Sequence, residues 1–143
     1  EKWAVKIGGG ENHRFALYDM IMLKDNHIDY AGGVNNAIEK TKAYLSDKKL
    51  NLKIEIEVRN FDELNEVLAT GGVNRIMLDN FSLADLCAAV KLTAGAVELE
   101  ASGNIDLDNI HSIAQTGVDY ISIGALTKHV KAVDLSMRIK LVG

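Results

Sequence analysis

Glu57, Asp79, Ser102 and Gly124 follow one another at intervals of 22, 23 and 22 residues, each at the C-terminal end of a short apolar run. The runs are Ile54–Val58, Ile76–Leu78, Val97–Leu99 and Tyr120–Ile123, preceded by a longer one at Leu17–Leu23. Each is brief, rich in branched side chains and bounded by polar residues or glycine, which is the pattern of a buried strand. Helical patterns of matching length fill the gaps between them. Strand–helix repetition at a fixed period forces parallel strands joined by helical crossovers, because parallel neighbours cannot be joined by a tight turn. The predicted fold class is therefore α/β. In a closed parallel barrel the C-terminal ends of all strands face one rim, where ligands bind. Five strands are fewer than the usual eight, so the expected architecture is a partial parallel β/α barrel. An open doubly wound sheet is the alternative.

The intervening segments carry their own start and stop signals. Val34, Ile38, Thr41 and Leu45 share one helical face. Phe61, Leu64 and Leu68 share another, behind Asn60 as N-cap and Glu63 at the capping-box position. Leu83, Leu86, Cys87 and Val90 follow Ser82, with Asp85 three residues on. Leu107, Ile110 and Ala114 follow Asp106 and are predicted to form a helix that Gly117 stops.

With 143 residues the chain suffices for one domain with a real core. It contains no proline and opens as EKWAVKIGGG without an initiator methionine, so residues 1–143 are expected to be a fragment of a longer polypeptide. A net charge of −4 argues against a basic nucleic-acid surface. No apolar run is long enough to span a membrane and no leader peptide opens the sequence. The lone cysteine, Cys87, cannot form an internal disulfide, which favours the reducing cytoplasm. It sits in LADLCAAV and reads as a small apolar helix residue.

The chemistry-bearing residues fall into three groups. His13, Arg14 and Lys24 form a cationic set within GGGENHRFALYDMIMLKDNHI. Glu57 and Asp79 form an acidic set at adjacent rim positions. Ser102-Gly103-Asn104 and Gly124-Ala125-Leu126-Thr127 are small-residue loops whose backbone N–H groups suit a phosphate. Together they imply a substrate bearing carboxylates or phosphates, with Mg²⁺ between Glu57, Asp79 and substrate oxygens. Glu55 alternates with Glu57, so one of the two is expected to point elsewhere, and Glu57, nearer the rim, is taken as the site residue. Glu98 and Glu100 pose the same choice, with Glu100 a secondary candidate. Asn26 and His27 read as tying down a turn, and His111 as a solvent-facing helix residue. His13, His27, His111 and His129 lack zinc-ligand spacing, and the triple glycine lacks the G-x-G-x-x-G pattern.

The long first segment, followed in order by IEIEVRNFDEL, RIMLDNFS, LEASGNI and GVDYISIGALT, resembles the quinolinate phosphoribosyltransferase family over essentially the whole chain. The resemblance implies transfer of phosphoribose from phosphoribosyl pyrophosphate to the ring nitrogen of quinolinate. Decarboxylation then gives nicotinate mononucleotide, with pyrophosphate and CO₂ released, in de novo NAD synthesis. It implies Mg²⁺, and an incomplete α/β barrel behind a separate N-terminal sandwich domain, assembled as dimers or hexamers. By motif, His13, Arg14 and Lys24 match the residues that contact quinolinate. Glu57 and Asp79, with Lys24, match those at the reacting centre, the two acids around ribose and metal. Ser102, Gly103, Gly124 and Ala125 match the phosphate loops. Three places depart from the family pattern: Asn104 stands where a second glycine is common, Lys128 where a histidine is common, followed by His129, and Phe15-Ala16 where a glycine is common. The sandwich domain and the first barrel segment, with further quinolinate cations, belong before residue 1, so the chain alone is expected to be inactive. Two other functions fit the residues less fully: a barrel aldolase or synthase using Lys24 as a Schiff-base lysine, and a scaffold without catalysis.

Overall fold

The computed structural model describes residues 1–128 and 131–140; His129 lies outside them. A short helix, α1 (Lys2–Ile7), is followed by a loop and then by alternating elements. These are β1 (Met20–Leu23), α2 (Asp25–Ala31), α3 (Val34–Lys48), β2 (Lys53–Val58), α4 (Phe61–Thr70) and β3 (Arg75–Asp79). They continue with α5 (Leu83–Thr93), β4 (Glu98–Ser102), α6 (Ile110–Ala114), β5 (Tyr120–Ile121) and α7 (Ala125–Lys128).

The five strands form one sheet in the order β1-β2-β3-β4-β5, and every pairing is parallel. Crossovers between parallel strands are right-handed in nearly all proteins. When each step also moves to the next strand in the same direction, every crossover helix lands on the same face. That is the winding of a barrel, and it excludes the doubly wound sheet, whose order must reverse. Ile54, Ile56 and Val58 of β2, Ile76 and Leu78 of β3, and Leu99 and Ala101 of β4 point to the helices. There they meet Ile28, Val34, Ile38, Leu64, Val67, Leu86, Ala89 and Ile113 in one continuous core.

Local chemistry sets the helix starts. The Asn60 side chain accepts from the Glu63 N–H at 2.9 Å, and the Ser82 hydroxyl accepts from the Asp85 N–H at 3.2 Å. Glu63 then reaches back to the Arg59 N–H at 2.7 Å. His27 also acts as a cap: its Nδ1 accepts from the Lys24 N–H at 2.9 Å, which makes it the structural residue the sequence suggested.

Several expected boundaries move: β4 runs Glu98–Ser102 rather than Val97–Leu99, β5 stops at Ile121 rather than Ile123, and two further shifts have a visible cause. The first strand begins at Met20 rather than Leu17. Asp19 takes the N–H groups of Phe15 and Ala16 at 2.7 and 2.8 Å, closing a turn that keeps Leu17 and Tyr18 in solvent. The helix expected from Leu107 begins at Ile110. Asp106 binds the N–H groups of Asp108 and Asn109 instead, and Leu107 is exposed. An Asx turn there outcompetes the first helical turn.

Candidate functional site

Strand side chains alternate between faces with a period of two. The residues between the core positions therefore share the face that the helices leave open, here called the inner face. Register aligns them in rows: Met22 with Glu55 and Arg75 with Glu98, then Glu57 beside Met77 and Glu100, then Asp79 beside Ser102. Glu55 and Glu57 consequently point the same way, contrary to the expectation that one would turn aside; residues two apart on a strand cannot lie on opposite faces. The same holds for Glu98 and Glu100. What separates Glu55 from Glu57 is depth.

At the rim, Lys24 follows β1 and its Nζ lies 3.6 Å from Glu57 Oε2. Burial raises the Glu57 pKa, Lys24 opposes the shift, and the negative charges of Asp79 and Asp25 add to it. Carboxylates on neighbouring strands, with the charge of Asp79 opposing ionisation of Glu57, are a fitting donor set for a divalent cation, which relieves that repulsion. Asp79 ends β3, and its Oδ2 accepts from Asn80 Nδ2 at 3.0 Å. Ser102 ends β4, and its carbonyl accepts from the Asn80 N–H at 2.8 Å. Gly103 has φ +97, and a Cβ there would come within 2.9 Å of the Asn80 backbone nitrogen, so only glycine fits. Asn104 Nδ2 donates to Asn80 Oδ1 at 2.9 Å. At φ 50 it adopts the left-handed backbone that asparagine tolerates better than most residues. Its side chain thus ties the third and fourth rim loops together. Gly124 and Ala125 follow β5 at the entry to α7, with the Lys128 stem folded near Gly124.

Below the rim, the loop before β1 lays His13 over the inner face. Its Nε2 is 2.7 Å from Glu55 Oε2 and 3.7 Å from Glu100 Oε1. Glu100 also accepts from Arg75 Nη1 at 2.9 Å and from the Ser122 hydroxyl. Arg75 bonds Glu98 at 3.2 Å and stacks 3.6 Å above the Tyr120 ring. The Glu55 contact raises the His13 pKa above 6.5, burial pulls against it, and the charges of Glu55 and Glu100 outweigh that pull. Burial likewise raises the Glu100 pKa, opposed by its bond from Ser122. For Arg75, burial disfavours the charge, but the hydrogen bonds to Glu100 and Glu98 hold the guanidinium firmly protonated.

Lys24, Glu57, Asp79 and Ser102 thus lie at one rim, with His13 below them on the same face. Arg14 is placed differently. Its Nη1 donates to the carbonyl of Met20, the first residue of β1, at 3.0 Å, so it reaches the opposite end of that strand from Lys24. The network of Glu55, Arg75, Ser122 and Tyr120 escaped the sequence reading. Its signal was available in the spacing of two between Glu55 and Glu57, and between Glu98 and Glu100.

Residues 1–138 match the family model described as quinolinate phosphoribosyl transferase, C-terminal domain. The chain is 48% identical over 153 aligned residues to a chloroplastic carboxylating nicotinate-nucleotide pyrophosphorylase of Arabidopsis thaliana, covering 97% of the chain and 44% of that protein. A probable enzyme of the same name in Bacillus subtilis is 43% identical, with 99% and 47% covered. The solved nicotinate-nucleotide pyrophosphorylase of Francisella tularensis superposes with a TM-score of 0.85 at 51% identity, covering 94% of this chain and 46% of that one. The chain spans less than half the length of the curated relatives it matches.

Proposed function

We propose a function from one premise: this chain belongs to the quinolinate phosphoribosyltransferase family, matching its C-terminal domain. The protein that carries it transfers phosphoribose from phosphoribosyl pyrophosphate to quinolinate, releasing pyrophosphate and CO₂ and leaving nicotinate mononucleotide. The observation that carries this reading is the Lys24–Glu57 pair beside Asp79, directly above His13 on one inner face.

Quinolinate bears two carboxylates, and His13, Arg14 and Lys24 supply the cations that offset their desolvation. Arg14, with one nitrogen committed to Met20 at the far end of β1, is assigned to the ligand by the family motif rather than by its position beside the rim. Departure of pyrophosphate leaves positive charge on the ribose, and Glu57 and Asp79 stabilise that charge or hold the ribose hydroxyls. Holding both substrates in register supplies the orientation contribution. Ser102, Gly103, Asn104, Gly124, Ala125 and Lys128 surround the sugar phosphate, Lys128 as a point charge in place of a planar ring. Glu57 and Asp79 would also hold Mg²⁺, which would supply charge neutralisation for the pyrophosphate leaving group. Once the ring nitrogen is quaternised, it accepts the electrons released when CO₂ leaves.

The aldolase reading fares worse. Lys24 sits at a half-exposed rim against a carboxylate, whereas a Schiff-base lysine is activated by an apolar pocket or a second cation. Trp3, Phe15, Leu17 and Tyr18 are 65–80% exposed on the segment before β1, a surface that either the rest of a longer polypeptide or a second copy in a dimer or hexamer would cover. No helix among the described residues is long and apolar enough to cross a membrane, and the solitary cysteine suits a reducing compartment such as the cytoplasm.

Turnover of quinolinate with phosphoribosyl pyrophosphate by the full-length protein tests the reading. Wild type should release CO₂ and form nicotinate mononucleotide. Calorimetry on Arg14→Ala should find quinolinate bound at least about tenfold more weakly. Residues 1–143 alone should be inactive. Robust turnover by that fragment, or none by the whole protein, would contradict the proposal.

A further inference from the structure

Glu55 is fully buried, and neither of its oxygens has an aligned hydrogen bond among the described residues. Its nearest cationic partner is His13, at contact distance but off the ideal donor direction. A carboxylate removed from water without directed donors is costly, so its retention calls for a reason. It lies one inward position below Glu57, a depth of about 7 Å, beyond the reach of the rim loops. The His13 side chain is 29% exposed, so one edge of the ring rests on Glu55 while the rest faces the opening.

We propose that Glu55 is a positioning residue: from the floor of the inner face it fixes the His13 ring and, with Glu100, keeps it cationic for a carboxylate of quinolinate. This rests on the quinolinate reading above. The groups facing His13 are Glu55 from β2, Arg75 from β3 and Glu100 from β4. Glu98 and Tyr120 engage Arg75, Ser122 engages Glu100, and Lys24 pairs with Glu57 nearer the rim. Arg75 spends its donors on Glu98 and Glu100, so the Glu55 carboxylate is left for the imidazole. The raised His13 pKa agrees with this balance. Donor atoms of His13, Glu55 and Glu100 also lie within 4.8 Å of one another, a spacing a metal ion could bridge. The Arg75 guanidinium already occupies Glu100, which argues for the imidazolium instead.

The test measures quinolinate KM and kcat against pH in the full-length protein, with ¹³C-histidine NMR of the unliganded form. In wild type, KM should climb as pH rises through the His13 pKa, because the ring loses its charge. Glu55→Gln should lower that pKa in the NMR titration and start the climb at lower pH. At neutral pH its KM should be about tenfold higher, the factor that accompanies one unit of pKa, with kcat changed far less. Glu55→Asp should restore part of the effect. Should Glu55→Gln fail to fold, Glu100→Gln must shift the titration in the same direction by less. An unchanged His13 titration in either variant overturns the proposal, as does stoichiometric Zn²⁺ binding that Glu55→Gln abolishes. If His13→Ala leaves quinolinate KM unaltered while Glu55→Gln still moves the NMR titration, the substrate reading fails and the His13–Glu55 coupling stands.

Discussion

The two faces of the sheet are built from the same strands and obey opposite physics. On the helix side, Ile56, Val58, Ile76 and Leu78 have no exposed surface and pack within one apolar cluster. On the inner side, the intervening residues are mostly charged, Glu55, Glu57, Arg75, Asp79, Glu98 and Glu100, with Met77 and Ser102 among them. The first face is held by burial of apolar area, which is non-directional and tolerant of small shifts. The second is held by specific pairs whose partners fail together. The sheet thus keeps its apolar core and its charged face apart at a separation of one residue along the chain.

The sharpest way to break the contrast is to damage each face in turn. Leu78→Ala should destabilise the protein by about 3 kcal/mol through lost transfer energy and a cavity, seen as a lower denaturation midpoint with unchanged slope. Arg75→Ala leaves the buried Glu100 carboxylate without its cation and should cost about 2 kcal/mol, less than a fully enclosed pair because Arg75 is itself partly exposed. Adding Glu100→Gln should recover part of that loss. Full additivity in this double-mutant cycle would mean that the pair does not couple.

The inner face alone should respond to pH near neutrality. His13 has its pKa raised in the folded protein, so above pH 6.5 the folded state holds more protons than the unfolded one. Its contribution is complete below that value and declines as pH rises through the raised pKa, with a slope of at most about 1.4 kcal/mol per pH unit. Denaturation midpoints from pH 6 to 9 should follow this trend, and His13→Gln should flatten it. The smallest expected effect lies outside both faces: Asn60→Ala removes the cap of α4 and should cost about 1 kcal/mol, leaving quinolinate KM unchanged.

The repeat of apolar runs and capped helices was legible because strand and helix periods are written locally. It yielded the five strands in order, their parallel pairing and the four crossover helices α3 to α6, but not α1, α2 or α7. The ends of β1 and α6 were not, since side chains of Asp19 and Asp106 captured backbone N–H groups that strand or helix would have used. Glu57 and Asp79 were identifiable as rim residues from spacing and Lys24 from its place after an apolar run, while the roles the family resemblance implies for them belong to the proposal. The partnership of His13 with Glu55 and Glu100 was not, because it joins residues separated by 42 and 87 positions through a loop with no periodic pattern.

By itself, then, the sequence determined which residues alternate, where helices begin, and that successive strands run the same way, since hydrophobic period and capping act over a few residues. Only the tertiary structure decided depth: which of two carboxylates on one face meets solvent and which is sealed under an imidazole. Depth depends on what crosses above a strand, and that segment is brought there by the folding of the whole chain.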